Sequence, residues 1–424
     1  MRGKASFESF EAAVEVKARK GANSGFYFHT AFQDGDWPAQ GFEVQVNNSQ
    51  ERHGEYLELK MTGSLYGIRN VYKALARDDE WFTLHVTVRK PRVQIRVNDT
   101  LVVDWTEPPG PLPEGAPKTN RLGRGTFALQ CHDPESKVFY RNIRVKALAT
   151  PPAVAAKVPL VDARSSQILA LGRANFPLVD LHAHLKGGLT IEQALALSRG
   201  AGMFLGVAVN CGKGFPIQTD AEAVAWVDSM KGQPVFLAMQ AEGREWVTMF
   251  SRETRARFDY VFTDSMTWTD DRGKRMRLWI PEEVGTIADP QRFMDTLVDR
   301  TVGILANEPV DIYVNSTYIP DQLHARYDAL WTPERMKKVV DGLAANGVAM
   351  EINNRRRIPS AAFIRLAKGA GVKFTCGTNN AGADDLGRNE YCAEIIRACD
   401  LRPEHFWTPP ADGARAVQRK PLPR

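Results

Sequence analysis

The first third of the chain alternates apolar and polar residues in short runs that are separated by glycine, asparagine, aspartate and proline. The runs are EAAVEVKAR, GFYFHTAF, GFEVQVNN, YLELKM, FTLHVTVR, VQIRVNDTLVVDW, GTFALQC and VFYRNIRVKAL. A period of two puts the apolar side chains on one face of a strand and the polar ones on the other. Short strands joined by turns predict an all-β jelly-roll sandwich over residues 1–148.

After about residue 175 the pattern changes to nearly continuous apolar runs, each followed by helix-like sequence. These runs are LVDLHAH, FLGVAVN, VFLAMQAEG, YVFTDSM, DIYVNST, AMEINN and KFTCGTNN. Strands of this kind are buried on both faces, which is typical of parallel sheets covered by helices. The sequence therefore predicts a distorted (β/α)7 TIM-like barrel with a C-terminal extension over residues 175–424, after a Pro- and Ala-rich linker over residues 149–174.

The composition is that of an ordinary globular protein, with 43% hydrophobic and 25% charged residues in a chain of 424. The net charge of +5 comes from basic residues interleaved with acids, so we expect no nucleic-acid partner. No apolar run approaches the ~20 residues that a membrane span needs. The first residues lack the apolar centre of a signal peptide. We expect a soluble protein, periplasmic or secreted if the native start carries a signal peptide absent here, and the oligomeric state is left open.

The five cysteines are odd in number and contain no CxxC pair. This spacing argues against a disulfide framework and against a structural zinc site. We therefore expect buried free thiols.

The first strand of the predicted barrel ends in two histidines, His182 and His184, that share one side of the strand because they are two residues apart. Two imidazoles at a strand end of a barrel are a natural chelate for a divalent metal ion such as Zn, Mn, Co or Fe. Carboxylates follow other strands at Glu242, Asp264 and Glu351. Since a buried carboxylate is costly without a partner, these acids suggest a common cation, although a salt bridge or a helix cap would explain each one alone.

Further polar residues follow the barrel strands and suggest contacts with a substrate. Lys186 and His324 are candidate acids or bases, and Asn354, Arg355 and Asn380 are candidate substrate-binding residues. Asparagine both donates and accepts hydrogen bonds, which suits sugar hydroxyls, but it also suits turns.

The motifs VDLHAHLKGG, AMQAEG, MEINN and FTCGTNNAG resemble those of the polymerase and histidinol phosphatase family of metal-dependent hydrolases. The resemblance covers residues 175–405 and implies that His182, His184 and Glu242 bind metal. The later part departs from the family, because the fourth strand is followed by Asp264 instead of His, and the last reads GTNNAG. The resemblance thus implies one metal ion, with Asp264 as a possible fourth ligand.

The sandwich resembles the 3-keto-disaccharide hydrolase family, whose fold is a concanavalin-like jelly roll. The matching motifs are Asn-Ser-Gly at residues 23–25, GFEVQV, TGSLYG, VNDTLVVDW and GTFALQCHDPESKVFYRNIRV. They carry the candidate catalytic residues Glu43 and His132 and the candidate substrate-binding residues Gln45, Tyr66, Gln130 and Arg141. The family's initial LFNG phrase is absent. From the residues alone, this polar set is either a binding face or only the wet side of an antiparallel sheet.

Together the two resemblances imply an enzyme that cleaves 3-keto-glycosides. A carbonyl at C3 acidifies the C2 proton, so a base removes it, a metal ion polarises the carbonyl, the C1 substituent leaves, and water addition gives net hydrolysis. Two alternatives stay open. The sandwich would be a non-catalytic carbohydrate-binding module beside a barrel that hydrolyses another ester or amide, or the barrel would be a metal-free scaffold.

Overall fold

A computed structural model of the chain describes residues 5–50, 52–53, 56–109, 120–149, 163–270 and 273–411. The chain divides into two units. The first comprises Met1–Leu178, Glu192–Phe204 and Gly232–Pro234, and the second comprises Val179–Ile191, Leu205–Lys231 and Val235–Arg424.

The first unit contains antiparallel strands that form two main sheets. The strands are β1 (Phe10–Ala18), β2 (Ser24–Thr30), β3 (Phe42–Val46), β4 (Arg52–His53), β5 (Tyr56–Leu57), β6 (Phe82–Arg89), β7 (Arg92–Val97), β8 (Thr100–Thr106), β9 (Thr126–Leu129) and β10 (Val138–Ala147). One sheet has the order β10-β1-β6-β7-β8, the other has the order β3-β2-β9, and β4 pairs with β5.

The core of this unit lies between the two sheets. Every second residue of β1 is buried, beginning with Phe10, as the alternating sequence predicts. The Phe10 ring meets rings of the other sheet, with centroids 5.7 Å from Phe28 and 4.9 Å from Phe127. Aromatic pairs at these distances add to the stabilisation from burial itself. The predicted sandwich is thus present.

The run YLELKM does not extend as a strand beyond Leu57. The side-chain amide of Asn47 donates to the carbonyls of Glu58 and Lys60, each at 3.1 Å, so these carbonyls are satisfied without a strand partner. The prediction of a strand over this run was therefore wrong beyond Leu57. The carbonyls bond to a side chain instead of a neighbouring strand, and the alternation of apolar and polar residues does not reveal such a contact.

The second half of the predicted linker contains a helix, α1 (Ala163–Arg173). Residues 150–162 of that linker and residues 412–424 of the predicted extension lie outside the described residues.

Seven parallel strands close a barrel, and each comes from one of the seven predicted apolar runs. They are β11 (Val179–His184), β12 (Phe204–Cys211), β13 (Phe236–Ala241), β14 (Tyr260–Thr263), β17 (Ile312–Tyr313), β18 (Ala349–Asn353) and β19 (Phe374–Gly377). A separate hairpin consists of β15 (Thr267–Thr269) and β16 (Arg275–Arg277). The described residues of β11, β13, β14 and β18 are all buried, as strands of a closed parallel barrel should be.

Helices lie between the strands along the chain. They are α2 (Ile191–Ala201), α3 (Asp220–Ser229), α4 (Trp246–Met249), α5 (Arg252–Arg255), α6 (Pro281–Val284), α7 (Pro290–Asn307), α8 (Tyr327–Leu330), α9 (Pro333–Asn346), α10 (Ala361–Gly369) and α11 (Glu390–Ala398), with 3-10 turns at Asp321–Arg326 and Pro403–His405. Helix α9 shows local signals at both ends, since the Thr332 side chain accepts from the Arg335 amide and Gly347 ends it with a φ of 61°. None of the described helices is long and apolar enough to cross a membrane.

One disulfide corrects the expectation of free thiols. Cys376 on β19 and Cys392 on α11 are bonded, with their Cα atoms 6.1 Å apart. Cys211 and Cys399 are free and buried as expected, whereas Cys131 is free but exposed. The pairing depends on how α11 packs beside the strand, and a spacing of 16 residues does not reveal it.

Candidate functional site

The sandwich carries a cavity of about 320 Å³ lined by polar and aromatic side chains. The lining residues are Asn23, Tyr27, Trp37, Pro38, Gly41, Glu43, Gln45, Glu58, Tyr66, Asn120, Gln130 and His132. Five of the six site residues that the sequence suggested for this domain are among them, and the sixth, Arg141, is not. Residues from separate segments of the chain come together here, so this polar set forms a concave site.

Pairing between β2 and β3 positions the acidic group of this cavity. Tyr27 lies opposite Glu43 and Gly25 lies opposite Gln45. A Cβ atom at Gly25 would lie 2.2 Å from Oε1 of Glu43, so the space beside this carboxyl group exists because residue 25 is glycine.

The Glu43 carboxyl group is suited to proton transfer near neutral pH. Its Oε2 accepts a hydrogen bond of 2.7 Å from the Tyr27 hydroxyl, which in turn accepts from the Gln130 amide at 3.3 Å. Burial raises the pKa of Glu43 to about 7, although the hydrogen bond from Tyr27 lowers it. Both protonation states are therefore populated at neutral pH, which is the condition for efficient general acid or base catalysis.

Two amide oxygens of the cavity have no hydrogen-bond partner within the described part of the chain. They are Oε1 of Gln45 and Oε1 of Gln130, and both atoms are buried. The Gln45 amide nitrogen is already engaged, since it donates to Oδ1 of Asn23 at 2.8 Å. An unpaired buried acceptor is unfavourable, so these two atoms suit a ligand that brings hydroxyl donors.

A second group of polar side chains reaches the cavity through Tyr66. The Tyr66 hydroxyl donates to Oε2 of Glu58 at 2.8 Å. Oε1 of Glu58 lies 3.3 Å from Nζ of Lys60, and both of these side chains are almost fully buried. Glu58 and Lys60 were not predicted as site residues, although two charged residues at alternate positions of the run YLELKM were a usable signal.

His132 lies at the cavity with its ring oriented by a carboxylate. Its Nδ1 is 3.0 Å from Oδ2 of Asp133, which also accepts from the Ser136 hydroxyl. The His132 ring centroid is 5.5 Å from that of Trp37, whose side chain is 57% exposed. Trp37 was not predicted as a site residue, although a large aromatic residue in a segment rich in Gly and Asp is unusual.

The barrel places its two histidines at the carboxyl end of β11 with their ring centroids 5.3 Å apart. Nδ1 of His182 lies 2.6 Å from Oε1 of Glu351, and Nδ1 of His184 lies 3.1 Å from the carbonyl oxygen of Ala208. Both Nε2 atoms are buried, and neither has a hydrogen-bond partner among the residues that the structure describes. Burial holds the pKa of His184 well below its usual value, so its ring is neutral at pH 7.

The two carboxylates predicted beside these histidines are bonded to amides. Oε1 of Glu242 accepts from Asn210 at 2.8 Å and from Gln240 at 2.9 Å, and Oδ2 of Asp264 accepts from Asn315 at 2.9 Å. Burial raises the pKa of Glu242, and the nearby Asp264 carboxylate adds to the effect. Within the part of the chain that the structure describes, no three or more His, Cys, Asp and Glu side chains are grouped to hold a metal ion. The histidine pair fits the donor chemistry, because an acceptor on Nδ1 leaves the Nε2 lone pair for a ligand.

One protein-family model matches the N-terminal part of the chain. Residues 1–146 match the 3-keto-alpha-glucoside-1,2-lyase-like domain family. The matched residues, called the lyase-like domain below for this similarity alone, contain the cavity and the Glu43, Gln45 and Tyr66 side chains. A comparison with curated proteins found no match.

Three solved structures show limited similarity to the chain. A protein of Parabacteroides distasonis ATCC 8503 assigned as a glycosyl hydrolase is 20% identical, with 34% of this chain and 75% of that chain covered and a TM-score of 0.28. The carbohydrate binding module CBM66 from Bacillus subtilis is 15% identical, with coverage of 34% and 78% and a TM-score of 0.25. A citrate lyase from Burkholderia xenovorans LB400 is 12% identical, with coverage of 57% and 91% and a TM-score of 0.29. Scores this low carry no argument about this chain.

Arg141 of the lyase-like domain does not lie at the cavity. Its Nε donates to Oε2 of Glu15 at 2.8 Å, and its guanidinium carbon lies 3.8 Å above the centroid of the Trp81 ring. The exposed position of this residue on β10 explains the difference. The strand was predicted correctly, but alternation alone does not tell which face points into a cavity.

The predicted barrel residues have mixed positions. Asn380 is fully buried and holds the backbone of His184, since its Oδ1 accepts from the amide at 2.6 Å and its Nδ2 donates to the carbonyl at 2.9 Å. Asn354 also bonds backbone groups, those of Gly377 and Cys392. The side chains of both asparagines therefore bond to the backbone of the barrel, whereas the sequence predicted that they contact a substrate.

Three further barrel residues that the sequence suggested for the site have basic side chains. Lys186 donates to Oδ1 of Asn379 at 3.2 Å, and burial lowers the pKa of this lysine, with the charge of Arg355 adding to the effect. Arg355 is exposed and donates to the carbonyl of Asn379 at 3.2 Å. His324 lies on the 3-10 turn that begins at Asp321, with its Nε2 2.7 Å from the carbonyl of Ile319, so the backbone already occupies that nitrogen.

Proposed function

We propose that the lyase-like domain cleaves 3-keto-glycosides in its cavity, with Glu43 as the base. The observation that carries this proposal is the Glu43 carboxyl group, whose pKa is raised to about 7 inside a cavity lined by amides and aromatic rings. The unpaired oxygens of Gln45 and Gln130 suit sugar hydroxyls. The match of residues 1–146 to a 3-keto-alpha-glucoside-1,2-lyase-like family supports the same substrate class.

The chemistry needs a base that is ionised at working pH. A carbonyl at C3 acidifies the hydrogen on C2, and the ionised Glu43 carboxylate takes that proton. The electron pair of the C2–H bond forms a C1=C2 double bond as the C1–O bond breaks. Addition of water to this double bond completes a net hydrolysis. His132, oriented by Asp133 on the same cavity, is the second candidate for proton transfer.

The test compares two glutamate variants of the same sandwich. Glu43→Gln keeps the shape of the side chain but removes the base, so we expect turnover of a 3-keto-glucoside to fall by about 100-fold or more. Glu15→Gln is the matched control, because Glu15 bonds Arg141 and Asn142 and does not line the cavity. Equal activity of both variants would refute Glu43 as the base.

We also propose that the histidine pair of the barrel binds one divalent metal ion, with Glu242 and Asp264 as candidate carboxylate ligands. The two buried, unpartnered Nε2 atoms support this proposal. A metal ion bound there would polarise a carbonyl oxygen as a Lewis acid. Elemental analysis of the wild type beside the His182→Ala/His184→Ala double variant tests it. We expect metal near one equivalent in the wild type and its loss in the variant, and a wild type that neither contains nor takes up metal would favour a scaffold.

The same two nitrogens favour an alternative in which the barrel is the catalytic part and hydrolyses another ester or amide. In that case the sandwich is a carbohydrate-binding module. The Glu43→Ala/His132→Ala double variant separates the two proposals. A binding module would lose affinity for the sugar while turnover of a small substrate stays unchanged, whereas a catalytic cavity would lose turnover.

A further inference from the structure

Tyr66, Glu58 and Lys60 form a connected polar group that the proposed reaction has not yet used. The Tyr66 hydroxyl donates to Glu58 at 2.8 Å, and Nζ of Lys60 lies 3.3 Å from Glu58 and 3.5 Å from the Tyr66 oxygen. Tyr66 and Glu58 line the cavity, whereas Lys60 is 1% exposed and does not line it. The phenol therefore lies between the cavity and the buried ammonium group of Lys60.

The surroundings of Lys60 hold its ammonium group beside the phenol. Nζ donates to Oδ1 of Asn175 at 2.6 Å as well as to Glu58 and the Tyr66 hydroxyl, which accounts for all three of its hydrogens. Nζ also lies 4.5 Å from the centroid of the Tyr66 ring. A buried ion pair is a weak source of stability, because desolvation offsets most of the attraction between the charges. A cation placed against a phenol oxygen does, however, stabilise a phenolate.

We propose that Tyr66 is a catalytic acid of this cavity, which protonates the leaving oxygen, that Glu58 positions the phenol and Lys60, and that Lys60 stabilises the phenolate. This inference rests on the proposed function, in which Glu43 is the base. Tyr66 and Glu43 are neighbours on the wall of the cavity, since the Tyr66 amide donates to the Glu43 carbonyl at 3.0 Å. One elimination needs both a base and an acid, and this pair supplies them from adjacent positions.

The protons balance over the two half-reactions. In the elimination, the Tyr66 hydroxyl turns its hydrogen from Glu58 to the substrate. The C2 proton moves to Glu43, the C1–O bond breaks, and the departing oxygen takes the proton of the Tyr66 hydroxyl. The Tyr66 phenolate then faces the Lys60 ammonium. In the hydration, water adds its oxygen to C1 and gives a proton to the Tyr66 phenolate, while Glu43 returns its proton to C2. Both side chains end in their starting states, and no oxidant or reductant is needed.

The dependence on the leaving group separates this role from a structural one. An alkoxide leaves poorly without a proton, whereas a nitrophenolate leaves readily, so only the first needs an acid. We expect Tyr66→Phe to slow cleavage of methyl 3-keto-glucoside by about 100-fold or more. Cleavage of 4-nitrophenyl 3-keto-glucoside should fall by less than about threefold. The other titratable groups that line the cavity, Tyr27, Glu43, Glu58 and His132, are unchanged in this variant.

Tyr72→Phe is the matched control, because the Tyr72 hydroxyl is buried against the carbonyl of Phe176 and does not line the cavity. It should leave both rates unchanged. Thermal unfolding of each variant checks that it folds. If Tyr66→Phe does not fold, the wild type offers a second measurement. Cleavage of the methyl substrate should slow in D2O more than that of the nitrophenyl substrate, because only the first moves an exchangeable proton as C1–O breaks.

Equal losses on the two substrates, or equal solvent isotope effects, would overturn the role of Tyr66 and leave the proposed function standing. A wild type that cleaves neither substrate would overturn the proposed function, and the role of Tyr66 with it.

Discussion

The hydrogen bond from Tyr27 to Glu43 makes a quantitative prediction about pH dependence. Tyr27→Phe removes a donor that lies 2.7 Å from Oε2 of Glu43. That bond favours the ionised carboxylate and therefore lowers its pKa, so the variant should have a higher pKa than the value of about 7 in the wild type. A hydrogen bond to a charged group contributes about 1.5–3 kcal/mol, and 1.36 kcal/mol corresponds to one pKa unit. Because water can replace part of the lost bond in an open cavity, we expect a rise of about one unit.

The sign follows from the role of Glu43 as a base. The base acts when it is ionised, so kcat/KM rises with pH through the pKa of the free enzyme. In Tyr27→Phe this acidic limb should move upward by about one pH unit. Activity well below the limb should fall about tenfold, since one pKa unit is a factor of ten. Activity well above it should change little.

The assay is the pH profile of kcat/KM for a 3-keto-glucoside, measured for wild type, Tyr27→Phe and Tyr72→Phe. The Tyr72 variant again controls for the loss of a buried tyrosine hydroxyl in the same unit. An acidic limb that stays in place or moves downward in Tyr27→Phe would show that Glu43 is not the group that titrates. A uniform loss at every pH would mean that Tyr27 only shapes the cavity.

Three other expectations follow from single contacts. Gly25→Ala should lower turnover while the fold is kept, because the added Cβ would lie 2.2 Å from the Glu43 carboxyl oxygen; circular dichroism beside a rate assay checks this, and full activity would contradict it. Asn380→Ala should reduce the free energy of unfolding by about 2–4 kcal/mol, because it removes two hydrogen bonds from the buried backbone of His184. A denaturant titration measures this loss. The control Asn307→Ala, at an exposed helix end, should reduce the free energy of unfolding by less than about 0.5 kcal/mol. Thiol titration of unfolded, unreduced protein should count three thiols and the reduced protein five, and a count of five without reductant would exclude the disulfide.

Much of this protein can be predicted from the sequence because it depends on local periodicity. Alternation with a period of two identifies the strands of the sandwich, and continuous apolar runs identify all seven strands of the barrel. The same rule places Glu43 and Gln45 on one face of β3, and His182 and His184 at one end of β11. Residues two apart on a strand share a side whatever the rest of the chain does.

Contacts between distant segments are decided only by the tertiary structure. The alternating pattern places Arg141 on the polar face of its strand. It does not show that the side chain contacts Glu15 and Trp81 and lies away from the cavity. The disulfide between Cys376 and Cys392 depends on how a helix packs beside a strand. Asn354 and Asn380 were predicted as ligands of a substrate, yet each satisfies buried backbone groups.

The group formed by Glu58, Lys60 and Tyr66 shows the same division within one site. The sequence shows two charged residues in a run that should be half-buried. It does not show which partners would offset the cost of burying these charges. The fold resolves it, because Asn47 and Asn175, far apart in the chain, hold the segment and the ammonium group in place. Burying charge is costly unless its partners are fixed beforehand, and only long-range packing fixes them.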